Sequence, residues 1–348
     1  MNRRLSSLLA LALLLLLSSG IAGSYTVQAG DTLFRIAQRA GVDVAALQSL
    51  NHLSGTGVQV GQVLELPGPV VPVAPTAVQV VAGVTVQVPA HLQMGDAFVL
   101  RLSGVRASEA QVQFPSEIGE DVRQPNEMLL PVQVGHDFVV LGRVVLGKQT
   151  PLSYRVTVGG ETLSGSVPVS GQVAGLQRLN MPPSLTNKLV DPARAAEEAE
   201  VERAYLRRTP SVWTQPFAPA LTTPPRIATL FGQARTYSSG GPVEYHYGTD
   251  YLAPIGTPIH AINDGTVVMV GTYPVRGGLV VIDHGAGLLS MYFHQSKTLV
   301  RVGQTVKRGE QIGLVGSTGI SNAPHLHLEL RVRGEAVQPS EWLGKLLP

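Results

Sequence analysis

The segment from His325 to Leu330 alternates polar and apolar side chains with a period of two residues. Successive side chains of a β-strand point to opposite faces, so this pattern predicts a strand with its leucines in a core. His325 and His327 would then lie together on the opposite face, toward a cleft. Six of the nine histidines lie between His246 and His327. This concentration of imidazoles in one region predicts a metal site.

The composition limits the ligands and the partners of this chain. Its 348 residues suffice for two or three domains, and its 38 glycines and 25 prolines favour a β-rich protein with many turns. There is no cysteine, so His and carboxylate side chains must supply any transition-metal ligands. Without Arg3 and Arg4, 24 basic residues balance 24 acidic ones, which argues against a nucleic-acid or anionic-membrane partner.

The N-terminus has the layout of a secretory signal peptide, because a basic pair precedes an apolar run from Leu8 to Leu17 and small residues follow. The run is shorter than the ~20 residues of a spanning helix. We expect residues 1–23 to be removed, with retention as an anchor as the alternative. No cysteine follows, which excludes a lipoprotein anchor. The mature protein is expected to be secreted or in the cell envelope (periplasm or cell wall), with no stable membrane insertion.

Residues 24–67 are expected to form a small β-α-α-β unit. A strand at Tyr25 precedes a turn, after which Leu33, Ile36 and Ala37 recur at helical spacing. A second helix ends near Asn51, and a strand closes the unit. A unit of this size has a minimal core and little room for a catalytic cleft. It is therefore predicted to be a binding module or a spacer.

This unit resembles a LysM domain throughout its length. The matching segments are Tyr25-Thr26-Val27, Gly30-Asp31-Thr32-Leu33, Ile36-Ala37, Gly41-Val42, Leu47, Asn51 and Gly61-Gln62-Val63-Leu64. The resemblance implies a shallow groove that binds N-acetylglucosamine-containing glycans, chiefly peptidoglycan and chitin. By position, it implies glycan contacts from Gly30, Asp31, Thr32 and Leu33 on one loop and Asn51 and Leu53 on the other. The alternative for Asp31 and Asn51 is that they only cap helices.

The middle of the chain is predicted to hold a linker, a β-domain and a second linker. Residues 68–77 are Pro-rich and semi-extended. Short alternating runs from 78 to 170 predict a β-sandwich, similar to an immunoglobulin-like domain but without its Cys and Trp marks, that acts as a spacer or a lid. Residues 171–212 predict a helical linker, in which Asp191-Pro192 begins a helix.

Residues 213–348 consist of strand patterns and glycine turns, which predict an antiparallel β catalytic domain with a groove. A hydrolytic zinc site uses about three protein ligands and an open position for water. Two further imidazoles could act on the proton of that water or on the oxyanion. His260 and His284 flank turns and are predicted to be structural. Five residues remain as candidates, which are His246, Asp250, His294, His325 and His327.

The stretch from about Arg226 to Trp342 resembles the lysostaphin/LytM-type zinc metalloendopeptidases that cut peptidoglycan peptides. The matching segments are Phe231-Gly232, His246-x-Gly248-x-Asp250, Gly256-Thr257-Pro258, Asp264-Gly265, Ile282-Asp283-His284-Gly285, Tyr292-Phe293-His294, Val302-Gly303, Gly309, Gly313, Gly316-Ser317-Thr318-Gly319 and Pro324-His325-Leu326-His327. This chain departs from the usual pattern at Ala323 (usually Gly), Gln295 (usually Leu) and Leu328 (usually Phe). None of these departures removes a candidate ligand or imidazole.

The resemblance implies a role for each candidate residue. His246, Asp250 and His327 would bind one zinc ion per catalytic domain. His325 would act as general base, and His294 would assist in stabilising the transition state. Substrates of such enzymes are the cross-linking peptides of peptidoglycan, through either glycyl bridges or D-alanyl–diamino-acid bonds.

Three functions compete on the sequence. The favoured one is a secreted peptidoglycan hydrolase tethered to its substrate by the LysM module. The second is a non-catalytic envelope regulator that activates cell-wall amidases. Such regulators usually lose metal ligands, whereas all five candidate positions are intact here. The third, a plain glycan-binding envelope protein, leaves the histidine constellation unexplained.

Overall fold

The computed structural model of this chain describes residues 23–28, 31–33, 36–37, 47–48, 50–53, 55–66, 77–171, 176–179, 182–222, 226–236 and 244–348. Residues 1–22 of the predicted signal peptide, most of the Pro-rich linker and Gly30 lie outside these ranges. Among the described residues, no helix has the length and apolar character that a bilayer-spanning segment requires. The described part is mainly β, which confirms the predicted fold class.

The N-terminal unit is a two-stranded antiparallel sheet packed on helical residues. Strand β1 (Gly23–Thr26) pairs with β2 (Val63–Leu66), with Tyr25 opposite Leu64. The predicted apolar positions form one buried cluster, because helical spacing places them on the side that faces the sheet. This cluster contains Val27, Leu33, Ile36, Ala37, Leu47, Leu64 and Leu66.

The middle domain is a β-sandwich. Its strands are β3 (Ala77–Val81), β4 (Val84–Val88), β5 (Leu92–Gln93), β6 (Ala97–Ser103), β7 (Gln111–Gln113), β8 (Val132–Val134), β9 (Asp137–Arg143), β10 (Leu152–Val158), β11 (Glu161–Val167) and β12 (Val169–Ser170), with 3₁₀ turns at Ala107–Glu109 and Pro115–Glu117. One sheet has the order β3-β4-β6-β9-β8 and the other β11-β10-β7, while β5 and β12 pair in parallel. Alternate residues of β4 and β10 are buried, so one face of each sheet supplies the core.

A linker connects the middle domain to the C-terminal domain. It contains β13 (Gln177–Arg178), α1 (Pro183–Thr186), a 3₁₀ turn (Asn187–Val190) and α2 (Ala193–Tyr205), which we call the linker helix. The linker helix begins as predicted, with Asp191 Oδ1 accepting a hydrogen bond from Ala193 N at 2.8 Å. Its buried side chains Val201 and Tyr205 pack against the C-terminal sheet. Glu197, also buried, accepts a hydrogen bond from Arg276 Nη1 at 2.8 Å.

The C-terminal domain is built on one large antiparallel sheet. Its strands are β14 (Arg226–Thr229), β15 (Ala234–Thr236), β16 (Glu244–Tyr245), β17 (Thr249–Leu252), β18 (Pro258–His260), β19 (Gly265–Tyr273), β20 (Gly277–Gly285), β21 (Leu288–Gln295), β22 (Lys297–Thr298), β23 (Thr305–Val306), β24 (Gln311–Leu314), β25 (His325–Val332) and β26 (Glu335–Val337), followed by a 3₁₀ turn (Pro339–Glu341). The large sheet has the order β14-β17-β25-β21-β20-β19-β23, with β26 paired to β25. Two smaller sheets have the orders β18-β24-β22 and β13-β15-β16, so the linker strand β13 joins the C-terminal domain.

The middle and C-terminal domains share buried contacts. Val99 and Leu141 of the middle domain belong to the same apolar cluster as Leu328 and Val332 of β25. Beside this cluster, the buried Glu117 accepts hydrogen bonds from Arg143 of the middle domain and from Arg333 of the C-terminal domain. The two domains are therefore joined by apolar packing and by a buried charge cluster.

Candidate active site

The strand β25 carries the centre of the site. Leu326, Leu328 and Leu330 have no exposed surface and lie in the core, as the alternation predicts. The opposite face presents His325 and His327. The same face continues with Glu329 and Arg331, both buried.

Three side chains converge at the start of β25. The neighbouring strand β17 places Asp250 directly opposite His327, and His246 precedes β17. His327 Nδ1 lies 2.7 Å from Asp250 Oδ1 and 2.9 Å from His246 Nε2. His246 Nε2 lies 3.0 Å from Asp250 Oδ1. The structure therefore brings together the three residues that the sequence resemblance names as ligands.

These three atoms fit a zinc ion. Ligands held about 2.0–2.1 Å from a tetrahedral zinc lie about 3.3 Å from one another. The observed separations are 2.7–3.0 Å, so each side chain need move only a few tenths of an ångström to admit the ion. Two imidazoles and one carboxylate are also the donors that zinc sites commonly use. All three residues are buried.

The second nitrogen or oxygen atom of each ligand side chain contacts another group of the protein. His246 Nδ1 donates to Leu230 O at 2.8 Å, which leaves the lone pair of Nε2 in the site. His327 Nε2 lies 3.2 Å from a carboxylate oxygen of Glu329. Asp250 Oδ2 lies 3.3 Å from Arg235 Nη2. Such outer contacts orient metal ligands and fix their tautomers.

Two further imidazoles face the three ligands. His325 Nδ1 donates to Ala323 O at 2.7 Å, and its Nε2 lies 3.6 Å from Asp250 Oδ1. His294 Nδ1 donates to Thr318 O at 2.8 Å. The two rings have centroids 4.7 Å apart. Because each Nδ1 donates to a backbone carbonyl, Nε2 is the nitrogen of each ring that can accept a proton when the ring is neutral.

His294 also has an unusual backbone conformation. Its φ of +61° lies in the left-handed region, which residues other than glycine rarely adopt. Its N–H donates to Arg276 O at 2.9 Å, and its imidazole is fixed by Thr318 O. Strained residues of this kind persist where the surrounding structure holds them, and they are concentrated at functional sites.

The burial of the site shifts the acid–base equilibria of its side chains. Burial lowers the pKa of His246 to about 4, and burial together with the neighbouring imidazoles lowers the pKa of His294 to about 3. Burial acts in the same direction on His327, but hydrogen bonds to Asp250 and Glu329 outweigh it and raise its pKa to about 9. The pKa of Asp250 lies well below its usual range, because the two neighbouring histidines outweigh the effect of its burial. His294 is therefore neutral at pH 7, and Asp250 is ionised.

A cavity of about 710 Å³ opens over these residues. Its lining includes residues from outside the C-terminal domain, namely Arg123 of the middle domain and Glu202 and Tyr205 of the linker helix. Arg123 Nε donates to Glu202 Oε2 at 2.7 Å, and Arg123 Nη1 lies 3.1 Å from Glu335 Oε1. The middle domain and the linker therefore form one wall of the cavity.

Sequence reasoning missed several side chains of the site. Glu329 and Arg331 continue the alternation of His325 and His327, so extending the period-two pattern by four residues would have found them. Arg235 and Arg123 come from other parts of the chain, and no local pattern marks them. His284 is structural, as predicted, because its ring bonds to Asp264 O and Ser290 Oγ in the core.

The structure describes five of the six predicted glycan-binding residues, which are Asp31, Thr32, Leu33, Asn51 and Leu53. Asp31 accepts hydrogen bonds from the Tyr25 hydroxyl and from Gln28 N, so it supports the strand–helix loop. Asn51 bonds through its amide to both N and O of Glu65 and thereby ties the end of the second helix to β2. Thr32 and Leu33 are buried, Leu53 is half-buried, and Gly30 lies outside the described residues. Glycan contact by these residues stays a prediction.

Comparison with known families agrees with both sequence resemblances. Residues 244–339 match peptidase family M23, and residues 25–67 match the LysM domain. Two separate regions of the chain thus match these family models, which confirms the resemblance to LysM domains and to lysostaphin-type peptidases.

Curated relatives share the C-terminal region. The peptidoglycan DD-endopeptidase ShyA of Vibrio cholerae is 47% identical over 112 residues, which are 32% of this chain and 26% of ShyA. The murein hydrolase activator EnvC of Escherichia coli is 42% identical over 90 residues, which are 26% of this chain and 22% of EnvC. This chain spans about a quarter of the length of the curated relatives that it matches.

A solved structure resembles a larger part of the chain. A Pseudomonas aeruginosa protein assigned to peptidase family M23 superposes with a TM-score of 0.52 and 26% sequence identity, covering 72% of this chain and 94% of that one. The similarity therefore extends beyond the peptidase region.

Proposed function

We propose that this protein is a secreted zinc metalloendopeptidase that hydrolyses the peptide cross-links of bacterial peptidoglycan. One observation carries the proposal, namely that three ligand atoms converge within 3.0 Å beside two imidazoles whose Nδ1 atoms bond to backbone carbonyls. A metal-dependent hydrolase uses a metal site with a proton acceptor next to it, and this arrangement offers both. Similarity to a peptidoglycan DD-endopeptidase supports the choice of substrate.

His246, Asp250 and His327 would hold the zinc ion. When bound, zinc would polarise the carbonyl of the scissile peptide bond and make deprotonation of the attacking water easier. The buried position of the three ligands excludes bulk water from most of the ligand set.

His325 is the proposed general base. Its Nδ1 proton is engaged by Ala323 O, so Nε2 is the atom that can take a proton from the attacking water. The same Nε2 could then give that proton to the amine that leaves. Its distance of 3.6 Å from Asp250 Oδ1 places this atom at the edge of the ligand cluster, where the water must approach.

His294 is proposed to orient the reacting groups. Because its Nδ1 donates to Thr318 O, Nε2 of the neutral ring can accept a hydrogen bond from water but cannot donate one. Stabilisation of an oxyanion by His294 would therefore require Nε2 to gain a proton during the reaction. Its left-handed φ and its bond to Thr318 O keep the ring in place for either action.

The LysM region is proposed to bind the glycan strands and so to keep the peptidase region close to its substrate. Tethering makes the second contact intramolecular and raises the effective substrate concentration without any new contact at the peptidase site. Peptidoglycan, both its glycan strands and its peptides, is thus the proposed partner, and the cell envelope or the exterior is the proposed location.

The second candidate function is that of a non-catalytic activator of cell-wall amidases. The similarity of the peptidase region to EnvC favours it. The complete set of three ligands and two imidazoles argues for the enzyme instead, because an activator has no need for a proton acceptor at a metal site.

Digestion of purified sacculi, analysed by mass spectrometry, separates the two candidates. The peptidase should release fragments with new peptide amines, and a chelator should stop the release. His325→Ala should be inactive, whereas His260→Ala, a substitution in the same domain but outside the site, should remain active. Cleavage of glycan–peptide amide bonds only after an amidase is added would instead support the activator.

A further inference from the structure

Glu329 connects a metal ligand to a buried arginine. One carboxylate oxygen lies 3.2 Å from His327 Nε2. The other accepts a hydrogen bond from Arg331 Nε at 2.8 Å and lies 2.7 Å from Arg331 Nη2. Glu329 is only 4% exposed and Arg331 only 5%, so water cannot replace these contacts. A buried carboxylate is stable only when such partners satisfy it.

Arg331 is itself held from several sides. Its Nη1 donates to Gly334 O at 3.1 Å. Its guanidinium also lies 4.8 Å from the ring centre of Tyr205, on the linker helix, and 5.1 Å from that of Tyr247. Arg331 is therefore fixed in place, and its two-nitrogen contact holds the Glu329 carboxylate in one orientation.

We propose that Glu329 is a positioning residue for the metal ligand His327. Its carboxylate accepts a hydrogen bond from His327 Nε2, which leaves Nδ1, on the side of Asp250 and His246, as the nitrogen that would bind the ion. Arg331 holds Glu329 in place, and Tyr205 connects this arrangement to the linker helix. The inference rests on the metal-binding role proposed for His327.

A purely structural role is the alternative. Glu329 and Arg331 form a buried ion pair, so loss of either charge could destabilise the domain without any effect on metal binding. The two roles differ in a measurable way, because only positioning of His327 makes the metal affinity depend on Glu329.

Glu329→Gln tests the proposal, with Glu335→Gln as the matched control. Glu335 lies on the neighbouring strand β26 and bonds to Arg123 rather than to a ligand. We expect Glu329→Gln to bind zinc about 10–100-fold more weakly in competition with a chromophoric chelator. Its cobalt-substituted form should show an altered visible absorption spectrum. Glu335→Gln should match the wild type in both measurements.

A folded Glu329→Gln protein with wild-type zinc affinity and an unchanged cobalt spectrum would overturn the proposal, even if its melting temperature fell. Should Glu329→Gln fail to fold, Arg331→Lys takes its place, because it keeps the charge but loses the two-nitrogen contact. A weakened zinc affinity in Arg331→Lys would support the proposal, and an unchanged affinity would overturn it. These measurements do not depend on hydrolysis. A wild type that binds zinc but is inactive would therefore refute the proposed function and leave the proposed role of Glu329 unaffected.

Discussion

Glu117 of the middle domain and Arg333 of the C-terminal domain form a buried ion pair, with Arg333 Nη2 2.7 Å from Glu117 Oε1. Arg143 contacts the same carboxylate through Nε at 3.2 Å. Each of these side chains is at most 2% exposed. The single carboxylate is therefore shared by two buried guanidinium groups at the domain junction. Arg123, which lines the cavity, follows shortly after Glu117 in the chain. The junction therefore also holds this wall of the cavity in place.

Glu117→Gln is expected to lower the free energy of unfolding by about 3–5 kcal/mol, since it leaves buried arginines without a compensating charge. Asp137→Asn is a suitable control in the same domain, because the side chains of Arg101 and Asp137 are 37% and 47% exposed. The control should lose about 1 kcal/mol or less. Urea denaturation followed by circular dichroism measures both. Equal losses in the two variants would contradict the assigned role of the junction.

His325→Ala is expected to lower kcat by about 10²–10⁴-fold, because the proton acceptor of the attacking water is removed. The affinity for zinc should stay within a few-fold of the wild type, since His325 Nδ1 and Nε2 are not among the converging ligand atoms. Steady-state kinetics on a cross-linked peptide, together with chelator competition, gives both quantities. A variant that loses zinc and activity together would instead make His325 a ligand.

The stability of the metal-free protein is expected to fall between about pH 6.5 and pH 4. Burial lowers the pKa of His284 to about 4, whereas an exposed histidine titrates near ~6.5. As the pH falls through this window, the unfolded chain gains a proton that the native protein does not, so unfolding becomes easier. The full difference for one such group is about 3 kcal/mol. His246 and His294 act in the same direction.

His284→Gln removes one of these groups at a position away from the metal ligands. Its free energy of unfolding in the presence of a chelator should therefore depend less steeply on pH between about 6.5 and 4 than that of the wild type. Urea titrations at several pH values in this window provide the comparison. Identical slopes for the two proteins would mean that His284 is not neutral in the native core.

Opening the cavity wall is expected to affect large substrates more than small ones. Arg123→Ala removes the contacts that join the middle domain to Glu202 and Glu335 at the rim of the cavity. We expect kcat/KM to change on sacculi and to stay within about twofold on a short soluble peptide, because no ligand or imidazole is touched. Equal changes on both substrates would show that Arg123 acts on the reaction centre instead.

The local pattern of the sequence was sufficient to predict the strand β25 and its two faces. Period-two alternation assigns Leu326 and Leu328 to the core and His325 and His327 to the site, because strand geometry permits no other arrangement. The convergence of the ligands could not be derived in this way. It depends on the register that places Asp250 opposite His327, 77 positions away in the chain.

The outer contacts of the site were harder to predict. Arg235 reaches Asp250 from a separate small sheet, and Arg123 reaches the cavity through the docking of another domain. Such positions follow from tertiary packing, which leaves no periodic signal in the sequence. The alternating pattern of β25 includes Glu329, but an acidic residue on the polar face of a strand is not by itself a sign of a metal site.

The central claim is that His246, Asp250 and His327 together hold one divalent metal ion. Native mass spectrometry of the purified protein after addition of zinc tests this claim most directly, with Asp250→Ala measured under the same conditions. We predict one zinc ion per chain in the wild type and none in Asp250→Ala. Equal zinc occupancy in the two proteins, or a wild type that binds no zinc, would contradict the account.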